Sequence, residues 1–191
     1  MKRILIISCL ILAAITAAVQ TAFAHVAVHP NTAGIGTFQI FSVSVPVEKE
    51  VATVGLRLLI PSGLEEVLPN VKPGWHITVK KNGDAVSEID WTGGYIPPDE
   101  RDDFVFGAQV PSQPTTLQWR AYQIYQDGTV VSWDQDPNKS QSDDAVNDSG
   151  PYSETSVFND LTAVSWWNAH STDLAIALSL IAILLSGYVL S

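Results

Sequence analysis

The residues best suited to chemistry in this 191-residue chain stand at the end of an export signal. Lys2-Arg3 is a positive n-region, Ile4 to Val19 an apolar h-region, and Ala22-Phe23-Ala24 an A-x-A cleavage site. Cleavage there makes His25 the first residue of the mature chain. A histidine at a free N-terminus offers its α-amine and its ring Nδ1 to one metal ion, closing a six-membered chelate. Nitrogen donors in a tetragonal arrangement suit Cu(II), which tops the divalent affinity order. The amine must lose a proton to bind, so signal cleavage is part of building such a site. Junctions also leave a histidine in front by accident, and His25 alone does not decide between the two.

The other histidines add little. His29 is four residues on; in a strand the two face the same side, about 13 Å apart. One metal takes both only if the chain bends, so His29 reads as a surface residue or a weak extra ligand. His76 follows Trp75 in an alternating strand and points away from it, and His170 is juxtamembrane; neither reads as a ligand. Cys9 and Met1, the only residues of their kinds, both fall within the signal. The mature chain therefore has no disulfide and no iron–sulfur, c-type haem or blue-copper thiolate site. It binds with nitrogen, oxygen, aromatic faces or backbone. Without Lys2 and Arg3, eight basic residues face twenty acidic ones, a net charge of about −12. That opposes nucleic-acid binding, which needs clustered Lys and Arg. No Ser-His-Asp arrangement, nucleophilic cysteine or phosphate loop is present, so the chain does not read as an enzyme. The acidic stretch Pro97 to Phe104, PPDERDDF, reads by itself as a solvated loop.

These residues must be positioned by strands. Residues 26–133 are dense in β-branched and aromatic residues with turn signals at short spacing, the pattern of an all-β sandwich. Thr37 to Val45 alternates, with an irregularity expected at Ile40-Phe41. Ala52 to Ile60 alternates through Val54, Leu56, Leu58 and Ile60. Trp75, Ile77 and Val79 share one face of the next strand. Asn82-Gly83 predicts a type I′ hairpin returning into Ala85 to Trp91. Phe104 to Val110 is a further strand, and Leu117 to Tyr125 turns at Asp127-Gly128 into Thr129 to Trp133. No long run of 3.6-residue period interrupts them. Trp75, Trp91 and Trp119 read as core.

Four segments result: signal 1–24, sandwich 25–133, acidic flexible spacer 134–165, and juxtamembrane segment with anchor 166–191. Asp134 to Asp160 carries seven acids and one Lys with few large apolar groups, too little to offset ordering entropy. Leu174 to Ser191 has no charge, and eighteen helical residues rise about 27 Å, enough to cross a bilayer with some thinning. Trp166 and Trp167 precede it as interfacial aromatics. An exported N-terminus with one span places the domain outside the cell membrane. Ile6 to Cys9 also fits a loose lipoprotein pattern, but only five residues separate Arg3 from Cys9.

Several motifs carry a resemblance. The mature chain opens His25-Val26-x-Val28-x-Pro30, followed by Val45-Pro46-x-Glu48-Lys49 leading to Thr53. Then come Pro73-Gly74-Trp75, Trp91-Thr92-Gly93-Gly94 with Ile96-Pro97, Glu100 before Asp103-Phe104, Ala121-Tyr122-Gln123, and Asp127-Gly128-Thr129-Val130-Val131-x-Trp133. In order and spacing, over roughly residues 25–133, this resembles the YcnI-like extracytoplasmic copper-binding family. The resemblance implies an immunoglobulin-like or cupredoxin-like β-sandwich. It also implies a Cu(II) site with His25 as bidentate ligand, Glu100 as carboxylate ligand and Trp133 nearby. Arg101 replaces an aromatic here, and Asp103 stands where a second Glu is common, so Asp103 is the reserve carboxylate. Trp133 serves as hydrophobic wall, cation–π face or redox neighbour, or else as a core tryptophan.

The expected function is a membrane-tethered extracytoplasmic Cu(II)-binding protein in copper acquisition or homeostasis. Its partners would be the copper ion and a membrane copper transporter or chaperone. The alternative is an adhesive or ligand-binding immunoglobulin-like surface module without metal. A polysaccharide-acting copper oxidase is a third class; it needs a second histidine on the copper, and only His29 or His76 is available.

Overall fold

Strands dominate because the chain alternates large apolar and polar residues, and two such sheets can bury their apolar faces against each other. The computed structural model describes residues 25–138 and 149–159. The expected signal 1–24, the spacer residues 139–148 and 160–165, and the anchor segment 166–191 lie outside the described residues. No helix occurs among those described.

The first sheet is ordered β1 (Ala27–His29), β3 (Phe38–Pro46), β8 (Arg101–Gln109), β5 (Glu65–Pro69). The second runs β11 (Ser149–Pro151), β10 (Val130–Gln135), β9 (Thr115–Tyr125), β4 (Thr53–Leu59), β7 (Ala85–Ile96), β6 (His76–Asn82). β12 (Ser153–Phe158) pairs antiparallel with β9 and parallel with β2 (Thr32–Gly34). Between the sheets, Phe41 meets Phe106 at 5.3 Å and Trp119 at 5.0 Å between ring centroids. Burying each such ring contributes about 1.5–3 kcal/mol. Trp91 and Trp119 are core, as their sequence contexts predict, and Trp75 packs edge-on against Phe104.

Three local expectations change. β3 pairs residue for residue with β8 from Phe38 to Pro46, with no irregularity at Ile40-Phe41. Phe38 and Ile40 instead face outward across Gly107, where an added Cβ would lie 2.6 Å from the Phe38 ring. The hairpin loop is Gly83-Asp84, because Asn82 already pairs with Ala85. Only Gly83 has positive φ (63°), the pattern of a type II′ turn rather than I′. In β4 a bulge between Thr53 and Gly55 turns Thr53 into the core and leaves Val54 half-buried.

The largest correction concerns the boundary at 133. Ser149 to Phe158 is sheet, not spacer. Trp119 Nε1 donates to Thr155 Oγ1 at 3.0 Å, and Thr155 Oγ1 donates to the Pro30 carbonyl at 2.7 Å. Val28 N donates to Ser153 Oγ at 3.0 Å. The acidic composition hid an alternation of inward Thr155 and Val157 with outward polar residues.

The outer face of the second sheet is a charge ladder. Arg57 and Lys80 both pair with Glu88 and Asp90. Burial, the largest influence on Asp90, pushes its carboxyl up, but hydrogen bonds with Lys80, Arg57 and Glu88 together hold it below the usual carboxylate range. A depressed folded value gives stability that is present at neutral pH and lost as pH falls through it. Asp90→Asn is therefore expected to lower the neutral-pH melting temperature by a few degrees, for a loss of about 1 kcal/mol. The difference should shrink as pH falls through the depressed Asp90 range, as scanning calorimetry at neutral and acid pH would show. A chain ended at Trp133 leaves half of one β9 edge unpaired and is expected to lose cooperative unfolding, whereas one ended at Asn159 keeps it; equal transitions would place the boundary back at 133.

Candidate metal centre

The region around His25 is assembled from both sheets. β1 begins at Ala27, so His25 stands just outside the strand and its ring is not bound by strand alternation. The ring packs on Trp133, with centroids 5.1 Å apart and planes 58° tilted. His25 is half-buried, and its Nδ1 is shielded from solvent. Trp133 lies on β10 with 7% exposure, and its Nε1 is buried without an acceptor. The indole also packs against Gly150 of β11, where an added Cβ would lie 2.5 Å from it. The indole thus touches both the histidine ring and a strand position that permits only glycine.

Glu100 closes the loop before β8 and is exposed. Its carbonyl accepts from Val47 N at 2.9 Å, and Asp99 N donates to the Val47 carbonyl at 3.2 Å. Asp99 has a φ of 62° in this turn. Register relates this loop to His25. Ala27 pairs with Ser44, and Pro46 with Arg101. Continued by two residues, the β1 register sets His25 beside Pro46, two strands from Arg101, about 10 Å between backbones.

Asp103, the reserve carboxylate, lies on the outer face of the first sheet, in one row with Ser44 and Ala27. Its Oδ2 is 3.5 Å from Arg101 Nη2. His29 is exposed on β1 opposite Ser42, and His76 is exposed on edge strand β6. The structure therefore brings His25 and Trp133 into contact, leaves Glu100 exposed at the start of β8, two strands from β1, and leaves Asp103, His29 and His76 on outer or edge positions. Among the described residues no three His, Cys, Asp or Glu side chains gather at one point. A site using a terminal amine, one imidazole and one carboxylate needs only two such side chains, so these donors fit Cu(II).

Two contributions are absent from the sequence reading. Gly150 lay inside the stretch read as spacer. Gln123 lay within a quoted motif without a role, yet it is wholly buried and its Nε2 donates to Thr53 Oγ1 at 2.7 Å and to the Pro46 carbonyl at 2.8 Å. The available clue was a polar residue at an inward position, between Ala121 and Tyr125.

Comparison with known proteins agrees with this architecture. A family model described as a domain of unknown function, DUF1775, matches residues 25–151, beyond the boundary expected at 133. The copper-binding protein CutI of Bacillus subtilis (strain 168) is 32% identical over 114 residues, 59% of this chain. The match spans 56% of that relative's length. An uncharacterized protein from Nocardia farcinica with an immunoglobulin-like fold superposes with a TM-score of 0.59 at 26% identity, covering 70% of this chain and 97% of that one. The fold is an immunoglobulin-like sandwich, and the chain belongs to the DUF1775 family, the YcnI-like family that its motifs resemble.

Proposed function

We propose that this protein binds Cu(II) outside the cytoplasm, tethered to the cell membrane by its C-terminal segment, and serves copper acquisition or homeostasis. The observation that carries the reading is the contact between His25 and Trp133, two residues 108 positions apart that the motifs single out for one site. The copper-binding relative CutI supports it. In this reading, His25 supplies its amine and Nδ1, and Glu100 supplies an anionic oxygen that offsets the metal's charge. Trp133 closes one side and excludes water. Nitrogen and carboxylate donors favour Cu(II), and the mature chain has no thiol or thioether to hold Cu(I). Reduction then loosens the ion, and a membrane transporter or chaperone bearing soft ligands would receive it.

The exposed side chains of Phe38, Ile40 and Leu68 favour a second reading, an adhesive or ligand-binding module. Blocking the N-terminus leaves such a module unaffected, which separates the two.

Cu(II) titration of the full-length chain, followed by electron paramagnetic resonance, tests the proposal once mass spectrometry shows that the chain starts at His25. His25→Ala is expected to abolish the tight site, as is one extra residue before His25. Glu100→Gln should weaken binding at least tenfold or change the spectrum. His29→Ala and His76→Ala should do neither. Equal affinity with and without the extra residue would remove the amine chelate. Fluorescence supplies an independent check: at 5.1 Å from the His25 ring, Trp133 should be quenched by Cu(II), and Trp133→Phe should lose that quenching while keeping most of the affinity.

A further inference from the structure

Gln123 occupies a costly position. It has no solvent exposure, and its Oε1 is buried without a hydrogen-bond partner. Packing alone would favour an apolar residue of similar volume, since an unmet buried acceptor opposes folding. The amide orientation is fixed by chemistry: the Pro46 carbonyl can only accept, so Nε2 must face it. That bond crosses the sandwich, from β9 in one sheet to the last residue of β3 in the other. The bulge in β4 brings the second acceptor, Thr53 Oγ1, inward to meet the same amide.

The end of β3 lies between the elements that carry the proposed ligands. Val47, next along the chain, holds the Glu100 loop through its N–H to the Glu100 carbonyl and its carbonyl to Asp99 N. Pro46 itself pairs with Arg101. On its other side, the β1 register leads to His25. The Pro46 carbonyl therefore lies between the strand leading from His25 and the loop that carries Glu100.

We propose that Gln123 is a positioning residue for the metal centre: its bond to the Pro46 carbonyl fixes the end of β3 across the sandwich and thereby the spacing of Glu100 from His25. The inference rests on the Cu(II) reading above. Without the bond, the β3 end and the Glu100 loop shift, and the oxygen donor leaves its place while every ligand is still present.

The test compares Gln123→Met, which removes both bonds, with Thr53→Val, which removes one and leaves the bond to Pro46. Both are made in the full-length chain starting at His25, loaded with Cu(II) alone. Both should lower the melting temperature. Only Gln123→Met should weaken Cu(II) binding about tenfold and alter the parallel g value and copper hyperfine splitting. Thr53→Val should keep the parent spectrum and an affinity within about twofold of the parent. Gln123→Asn, one methylene too short to reach Pro46, gives the same expected result if Gln123→Met does not fold. A parent-like spectrum and affinity in a folded Gln123 variant overturns the proposal, and so does an equal change in Thr53→Val. If the parent chain takes up no Cu(II), the functional reading fails with it; if the parent binds and the Gln123 variants match it, only the positioning role fails.

Discussion

A β-strand has two hydrogen-bonding edges, and the eleven residues of β9 are too long for any one neighbour to cover. β4 takes one edge from Arg120 to Tyr125. On the other edge β10 reaches only Ala121 to Ile124, and Thr115 to Trp119 would be left open. The chain answers by returning after residue 148, running parallel to β10 as β11 and then entering the vacant half as β12. From this follow the acceptor for Trp119 Nε1, the tie between Val28 and Ser153, and the glycine wall behind Trp133. The surroundings of His25 thus depend on strands far from it in sequence.

The two outer faces of the sandwich solve different problems. The face of the second sheet pairs Arg57 and Lys80 against Glu88 and Asp90, so part of the chain's acidity is neutralised locally. The face of the first sheet uses few charges along β3 and β8: Phe38, Ile40, Ser42, Ser44, Val105 and Gly107. The sheets are joined internally by rings, and at the β3 end by a single amide. Aromatic packing tolerates small displacements, whereas a directional hydrogen bond fixes one distance. The apolar core holds the layers together, and the amide sets one point in the register between them.

Period-two alternation made the main strands legible in sequence, and β3, β8, β9 and β10 fall where it places them. It failed where geometry departs from simple alternation. The β4 bulge exchanges the roles of Thr53 and Val54, and no single residue type marks it. The hairpin signal named the correct glycine but placed the turn one residue early, because pairing of Asn82 with Ala85 decides the loop. β11 and β12 were hidden because their inward residues, Thr155 among them, are small or polar, and their stability comes from ladder pairing and the bond to Trp119. Motifs singled out His25, Glu100 and Trp133 as candidates. Their spatial relation was not legible, since it depends on register across β1, β3 and β8 and on the contact of His25 with β10.

The bond between Val28 and Ser153 joins residues 125 positions apart. β1 pairs with nearby β3, but this second tie closes a loop the length of the domain, and contacts of such separation form slowly. The second tie of β1 and the glycine against the Trp133 ring come only with the last strands. Completion of the polypeptide thus acts as a checkpoint on the finished sandwich.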